Sequence, residues 1–137
     1  MSAKRERIQS EKLHLRTSGG QVLYSQVMVV EVGGCRQIFV AGQTPRDRDG
    51  QCVGKGDMRA QIEQVGENIK AALEAAGATL ADIVKTTTYV TDMDEYFKHQ
   101  DMRMRYFADP LPTSTTVQVV RLSRPEFMVE IEVMAIV

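Results

Sequence analysis

Hydrophobic and polar positions repeat along this chain with two different periods, and each change of period marks an element. Val22 to Val32 is rich in β-branched residues, Gly33-Gly34 interrupts it, and Gln37-Ile38-Phe39-Val40-Ala41 resumes the pattern. Two such runs around paired glycines predict a β-hairpin, because both central positions of the favoured turn need positive φ. Gly42-Gln43-Thr44-Pro45 closes the second strand. Arg46 to Gly56, with Asp49-Gly50 and two further glycines, reads as an exposed loop with room for a short strand at Gln51 to Val53.

The period then changes from two to about 3.6. Asp57 is a good N-cap, and Ile62, Val65, Ile69, Leu73 and Ala76 recur at three- and four-residue spacing, with charged and amide residues opposite. Gly77 is the expected stop. Ile83 to Val90 returns to strand alternation, with Val84, Thr86, Thr88 and Val90 expected on one face. Asp92 opens a second predicted helix, Met93 to about Ala108, burying Tyr96, Phe97, Met104 and Phe107, until Pro110 and Pro112 end it. Two last strands are expected at Thr115 to Arg121 and Met128 to Val137, joined through Ser123 to Glu126.

This order predicts an α+β fold, a single mixed β-sheet with two helices on one face. Residues 1–20 read as a flexible polar N-terminus and 21–137 as one α+β domain. Several strands are apolar on both faces, so the face without helices is expected to meet another subunit. On the last strand Glu130 and Glu132 point together into that surface, where carboxylates are either paired or placed at a wet cleft. Solvent-facing strand residues remain the plain alternative.

Composition narrows the function classes. The chain is 43% hydrophobic and 26% charged, the balance of an ordinary globule. Its 17 basic and 18 acidic residues give a net charge of −1, which weighs against a nucleic-acid partner. No apolar run approaches the roughly 20 residues of a membrane span, and the charged start does not resemble a signal peptide. Cys35 and Cys52 have no metal-ligand spacing, and His14 and His99 are far apart, so no metal is expected and a cytoplasmic location is.

Nucleotide loops and the nucleophile elbow are absent. What stands out is the hydroxyl-rich run Pro112-Thr113-Ser114-Thr115-Thr116 entering a strand, followed by Val129-Glu130-Ile131-Glu132-Val133. Two neighbouring strands of this kind can build a polar pocket. Threonine's preference for strands explains the first run equally well.

Further motifs are Tyr24-Ser25-Gln26, Ile38 to Gln43, Ala75-Ala76-Gly77-Ala78 and Leu80 to Asp92. In their order and spacing, from about Tyr24 to Ala135, the chain resembles the reactive-intermediate (enamine/imine) deaminase family, also called YjgF/YER057c/UK114. The resemblance implies a chorismate-mutase-like homotrimer around a central β-barrel, with small-molecule clefts between subunits. Its catalytic members hydrolyse enamines and imines to 2-keto acids and ammonia without metal or cofactor. It assigns catalysis to Glu130 and substrate binding to Tyr24, Gly42, Ser114 and Thr116, the last where many members carry cysteine. Ser114 stands where the family has a carboxylate-binding arginine, so the likeness is to an arginine-lacking subgroup.

Serine offers one neutral hydroxyl in place of a charged bidentate fork, a loss on the order of 2–4 kcal/mol. The usual 2-imino acids are therefore expected to be poor substrates. Two functions follow: a hydrolase of the enamine/imine class with an atypical substrate, or a binding or regulatory trimer using the same cleft without turnover.

Overall fold

In the computed structural model, which describes residues 2–137, the elements are β1 (Lys4–Ile8), β2 (Thr17–Ser18), β3 (Gln21–Val22), β4 (Val27–Val32), β5 (Cys35–Gln43), α1 (Met58–Ala75), β6 (Ile83–Val90), α2 (Met93–Phe97), α3 (Gln100–Arg103), β7 (Thr113–Gln118) and β8 (Val129–Ile136). Six strands form one mixed sheet in the order β1-β4-β5-β8-β6-β7, antiparallel except for the β6-β7 pair. The expected α+β class holds.

The hairpin between β4 and β5 turns on Gly33 and Gly34, at φ of 58° and 84°. Helix α1 begins where expected: Asp57 accepts a hydrogen bond from the Ala60 amide. It ends as the glycine signal implies, with Gly77 at φ 76° and the Ala78 amide reaching back to the Leu73 carbonyl. Its buried stripe, Ile62, Val65, Ile69, Ala72 and Leu73, packs on Val27, Val29, Ile38, Val40, Val129, Ile131 and Val133 in one core. The opposite face of the sheet is left uncovered, with Phe39, Val117 and Ile136 exposed on it.

Several expectations need correction. Residues 1–20 are not a plain flexible tail: β1 pairs with β4 through Lys4 to Ile8. Its four charged or exposed positions keep it soluble as an edge strand, so hydrophobic patterning gives no sign of it. The run from Val22 to Val32 is broken, because Gln21–Val22 folds back on Thr17–Ser18 over Gly19-Gly20 before β4 begins. Gln51 to Val53 supplies only a bridge from Cys52 to Arg46.

The second helix is two short ones, and Phe97 and Met104 lie outside the core while Tyr96, Met102 and Phe107 are buried. A register shift between Ile83 and Lys85 turns Val84 outward, leaving Ile83, Thr86, Thr88 and Val90 on the inner face. Strand β7 starts two residues early and stops at Gln118.

Candidate functional site

A β-bulge shapes the first part of the site. Between the Val40–Val133 and Gln43–Ile131 pairs, Ala41 and Gly42 both stand opposite Glu132. Such a bulge re-aims the chain locally, and here it brings the bare Cα of Gly42 against the Glu130 side chain. A Cβ added to Gly42 would collide with the Glu130 carboxylate. Buried amides hold the bulge: Gln43 Nε2 donates to Gln26 Oε1 at 3.0 Å and to the Ala41 carbonyl at 2.9 Å. Gln26 in turn donates to the His14 carbonyl at 2.8 Å.

Glu130, half-buried at the start of β8, opens into a cleft of about 330 Å³ that also contains Tyr24, Gly42, Arg16, Arg46 and Ser123. Burial pushes the Glu130 carboxyl above the ordinary carboxylate range, neighbouring Glu132 adds to the shift, and Arg46 opposes it. Glu132 is occupied elsewhere, accepting from the Tyr89 hydroxyl at 3.0 Å. Arg46 is set in place from α1, where Asn68 Nδ2 donates to the Thr44 and Arg46 carbonyls at 3.0 and 2.9 Å. Its Nε is buried without a hydrogen bond, and its guanidinium lies 5.1 Å from the Phe127 ring centroid.

Ser114 and Thr116 lie elsewhere in the same chain. They pair with Thr86 and Thr88, both buried on the helix side, whereas Glu130 pairs with Tyr89 on the open side. Aligned partners in a sheet point the same way, so Ser114 and Thr116 project from the face opposite Glu130. They line a second cleft, of about 240 Å³, with Tyr96, Gln100, Arg103 and Pro112. One chain therefore unites Tyr24, Gly42 and Glu130 and keeps Ser114 and Thr116 apart from them.

Residues 20–137 match the family profile described as Endoribonuclease L-PSP. This chain belongs to that family, the YjgF/RidA group. It is 41% identical over 112 residues to a RutC family protein of Pyrococcus abyssi, covering 82% of this chain and 84% of that one. It is 36% identical over 113 residues to protein DfrA of Myxococcus xanthus, covering 82% and 84%. Among solved structures, RidA of a Psychrobacter species superposes with a TM-score of 0.80 at 32% identity, covering 96% of this chain and 99% of that one. E. coli TdcF, solved with bound serine, gives 0.78 at 28% identity, covering 96% and 98%.

Family membership leaves three arginines unaccounted for. Arg16 and Arg46 face Glu130, and Arg103 faces Ser114. A signal existed for two of them. Arg46 directly follows the Gly42–Pro45 segment, and Arg103 falls seven residues after Tyr96 and four before Phe107, on their stripe of a continuous helix. Among the described residues no cluster of His, Cys, Asp or Glu has metal-binding geometry, and no helix is long and apolar enough to cross a membrane.

Proposed function

We propose that this protein is a cytoplasmic hydrolase of small enamines and imines, working at clefts between the subunits of a homotrimer. This reading rests above all on Glu130, a half-buried carboxyl held against Gly42 with its proton affinity raised. A base of that kind is poised nearer neutrality than a solvated glutamate. The exposed apolar residues on the sheet's open face supply a reason to assemble. In a ring of three, the Ser114 edge of one subunit would meet the Glu130 cleft of the next.

The chemistry then runs as follows. Protonated Glu130 gives its proton to the carbon β to the nitrogen of an enamine, forming the iminium. The resulting carboxylate takes a proton from water as its oxygen bonds to the iminium carbon. Glu130 returns that proton to nitrogen and takes the hydroxyl proton as the C–N bond breaks, so that ammonia and a carbonyl product leave and Glu130 is protonated again. Tyr24 and the bare surface of Gly42 shape the near wall, and Ser114 and Thr116 offer hydroxyls from across the interface. With serine at the motif position, β7 itself presents no charged clamp. The substrate set, atypical for the family on that ground, depends on what else reaches the cleft.

A second reading, a binding or regulatory trimer without turnover, is favoured by Ser114 alone. Ammonia release from freshly generated 2-aminoacrylate and related imines, measured for wild type and Glu130→Gln, separates the two. Turnover lost with Glu130→Gln supports the hydrolase. Ligand binding without turnover in the wild type supports the second reading.

A further inference from the structure

The Ser114 cleft already contains a guanidinium, delivered by a helix instead of the strand. Arg103, the last residue of α3, donates from Nη2 to Ser114 Oγ at 3.2 Å. Its charge thus stands beside the motif position that lacks one. The guanidinium lies 4.7 Å from the centroid of the Phe107 ring, and Nη1 reaches Met104 Sδ at 3.5 Å. Phe107 is buried in the core, so the stacked side chain has a firm support.

What Arg103 lacks is an anion. Among the described residues it takes part in no ion pair. Asp101, on the same short helix, is held by Arg59 through hydrogen bonds of 2.9 and 2.7 Å. A guanidinium has five N–H donors, and Ser114 and a weak sulfur acceptor use two. No carboxylate lines this cleft, whose polar groups are Arg103, Gln100, Ser114, Thr116 and Tyr96. The Tyr96 hydroxyl is buried with no well-formed hydrogen bond, and burial pushes its ionisation up against the opposing effect of nearby Arg103 and Thr88. Donors without a competing acid suit a small planar anion, for which arginine's fork is the usual recognition element.

Arg16 and Arg46 fit that task less well, because they share their cleft with Glu130. The charge of Arg46 already acts on the Glu130 carboxyl, whose raised proton affinity it opposes, so it is less available to a second anion.

We propose that Arg103 is the carboxylate-binding residue of this protein, doing from α3 what the family's strand arginine does from the Ser114 position. The substrates are then small 2-enamino and 2-imino carboxylates, the family's usual class, in place of the atypical set that Ser114 alone implies. This rests on the reading of the Ser114 and Glu130 clefts as two halves of one site.

The test is calorimetric titration of the full chain with pyruvate, a 2-oxo carboxylate, and with its neutral counterpart pyruvamide. Wild type should prefer pyruvate by about 30-fold, the worth of a charge-assisted pair. Arg103→Gln should abolish that preference and Arg103→Lys should keep part of it, with thermal melting and sedimentation matching the wild type. Glu130→Gln should keep the preference while losing ammonia release. A wild type that prefers pyruvate yet releases no ammonia would count against the hydrolase reading and leave Arg103's role standing. An Arg103→Gln protein that still prefers pyruvate, or a wild type with no preference, overturns the proposal. So does an Arg46→Ala variant that alone loses the preference.

Discussion

The carboxylate of Glu130 rests against the backbone of Gly42, so closely that no side chain fits between them. Gly42 is not at positive φ, so its lack of a side chain is required by this approach and not by backbone conformation. Gly42→Ala should therefore push the flexible Glu130 side chain aside while leaving the fold in place. Ammonia release should fall on the order of 100-fold, the cost of misplacing a catalytic group by about 1 Å. Melting temperature should hardly move. A Gly42→Ala protein that unfolds early, or works normally, would show that the contact has another purpose.

Glu130 also makes stability depend on pH. Its carboxyl is held above the ordinary value of 4.5 by burial and by Glu132. In the unfolded chain it deprotonates first, so wild type loses stability as pH rises from the ordinary carboxylate range through the raised folded value. Glu130→Gln removes this loss. Melting curves should show a Gln variant no more stable than wild type in acid and increasingly more stable towards neutral pH, with the gap then constant. A pH-independent gap would mean that Glu130 is solvated as usual.

Much of this arrangement was legible in the sequence. Asp57 and Gly77 bracket α1, and Gly33-Gly34 places the β4-β5 hairpin, because caps and tight turns are local chemistry. Glu130 and Glu132 alternate outward from β8 by the period of any strand. The N-terminal strand escaped notice because edge strands are charged by necessity. The division of Met93 to Ala108 into two helices and a turn was hidden by its retained helical spacing. For Arg103 the helical stripe gives the side of the chain but not the partner, because Ser114 lies eleven residues away, on a strand across a turn.

Gln61 is the next test of how the site is held. Fully buried on α1, it donates to the Gly54 and Glu126 carbonyls at 3.0 and 2.9 Å and accepts from the Met128 amide at 2.8 Å. It anchors the segment that delivers β8, and with it Glu130. Gln61→Leu keeps the volume but leaves the Glu126 carbonyl and the Met128 amide without a partner, while the Gly54 carbonyl keeps its bond from the Asp57 amide. Chemical denaturation should show a loss of roughly 3 kcal/mol. A loss below about 1 kcal/mol would mean that water replaces the amide.

Assembly can be tested at the open face. Phe39 is 41% exposed there, next to Met134 in the β5-β8 register. Sedimentation equilibrium should give about three times the 15.3 kDa subunit mass. Phe39→Glu, which puts a charge into an apolar contact, should shift the protein towards monomer and abolish ammonia release together. A wild type that sediments as a monomer at micromolar concentration would remove the basis for a shared site.

Ser114→Arg tests whether strand and helix positions are interchangeable. In the wild type a second guanidinium at position 114 would displace the Arg103–Ser114 hydrogen bond and face a like charge. Pyruvate affinity should then gain little or fall. In an Arg103→Gln background the same substitution meets no repulsion and restores the charge from the family's own position. It should recover roughly 10-fold in affinity, short of the full loss because the new side chain lacks the Phe107 ring beneath it. The two effects must therefore be non-additive, as for groups sharing one partner. If Ser114→Arg strengthens pyruvate binding by the same factor in both backgrounds, the two guanidinium positions act independently. Arg103 would then be supporting the cleft wall without touching the ligand.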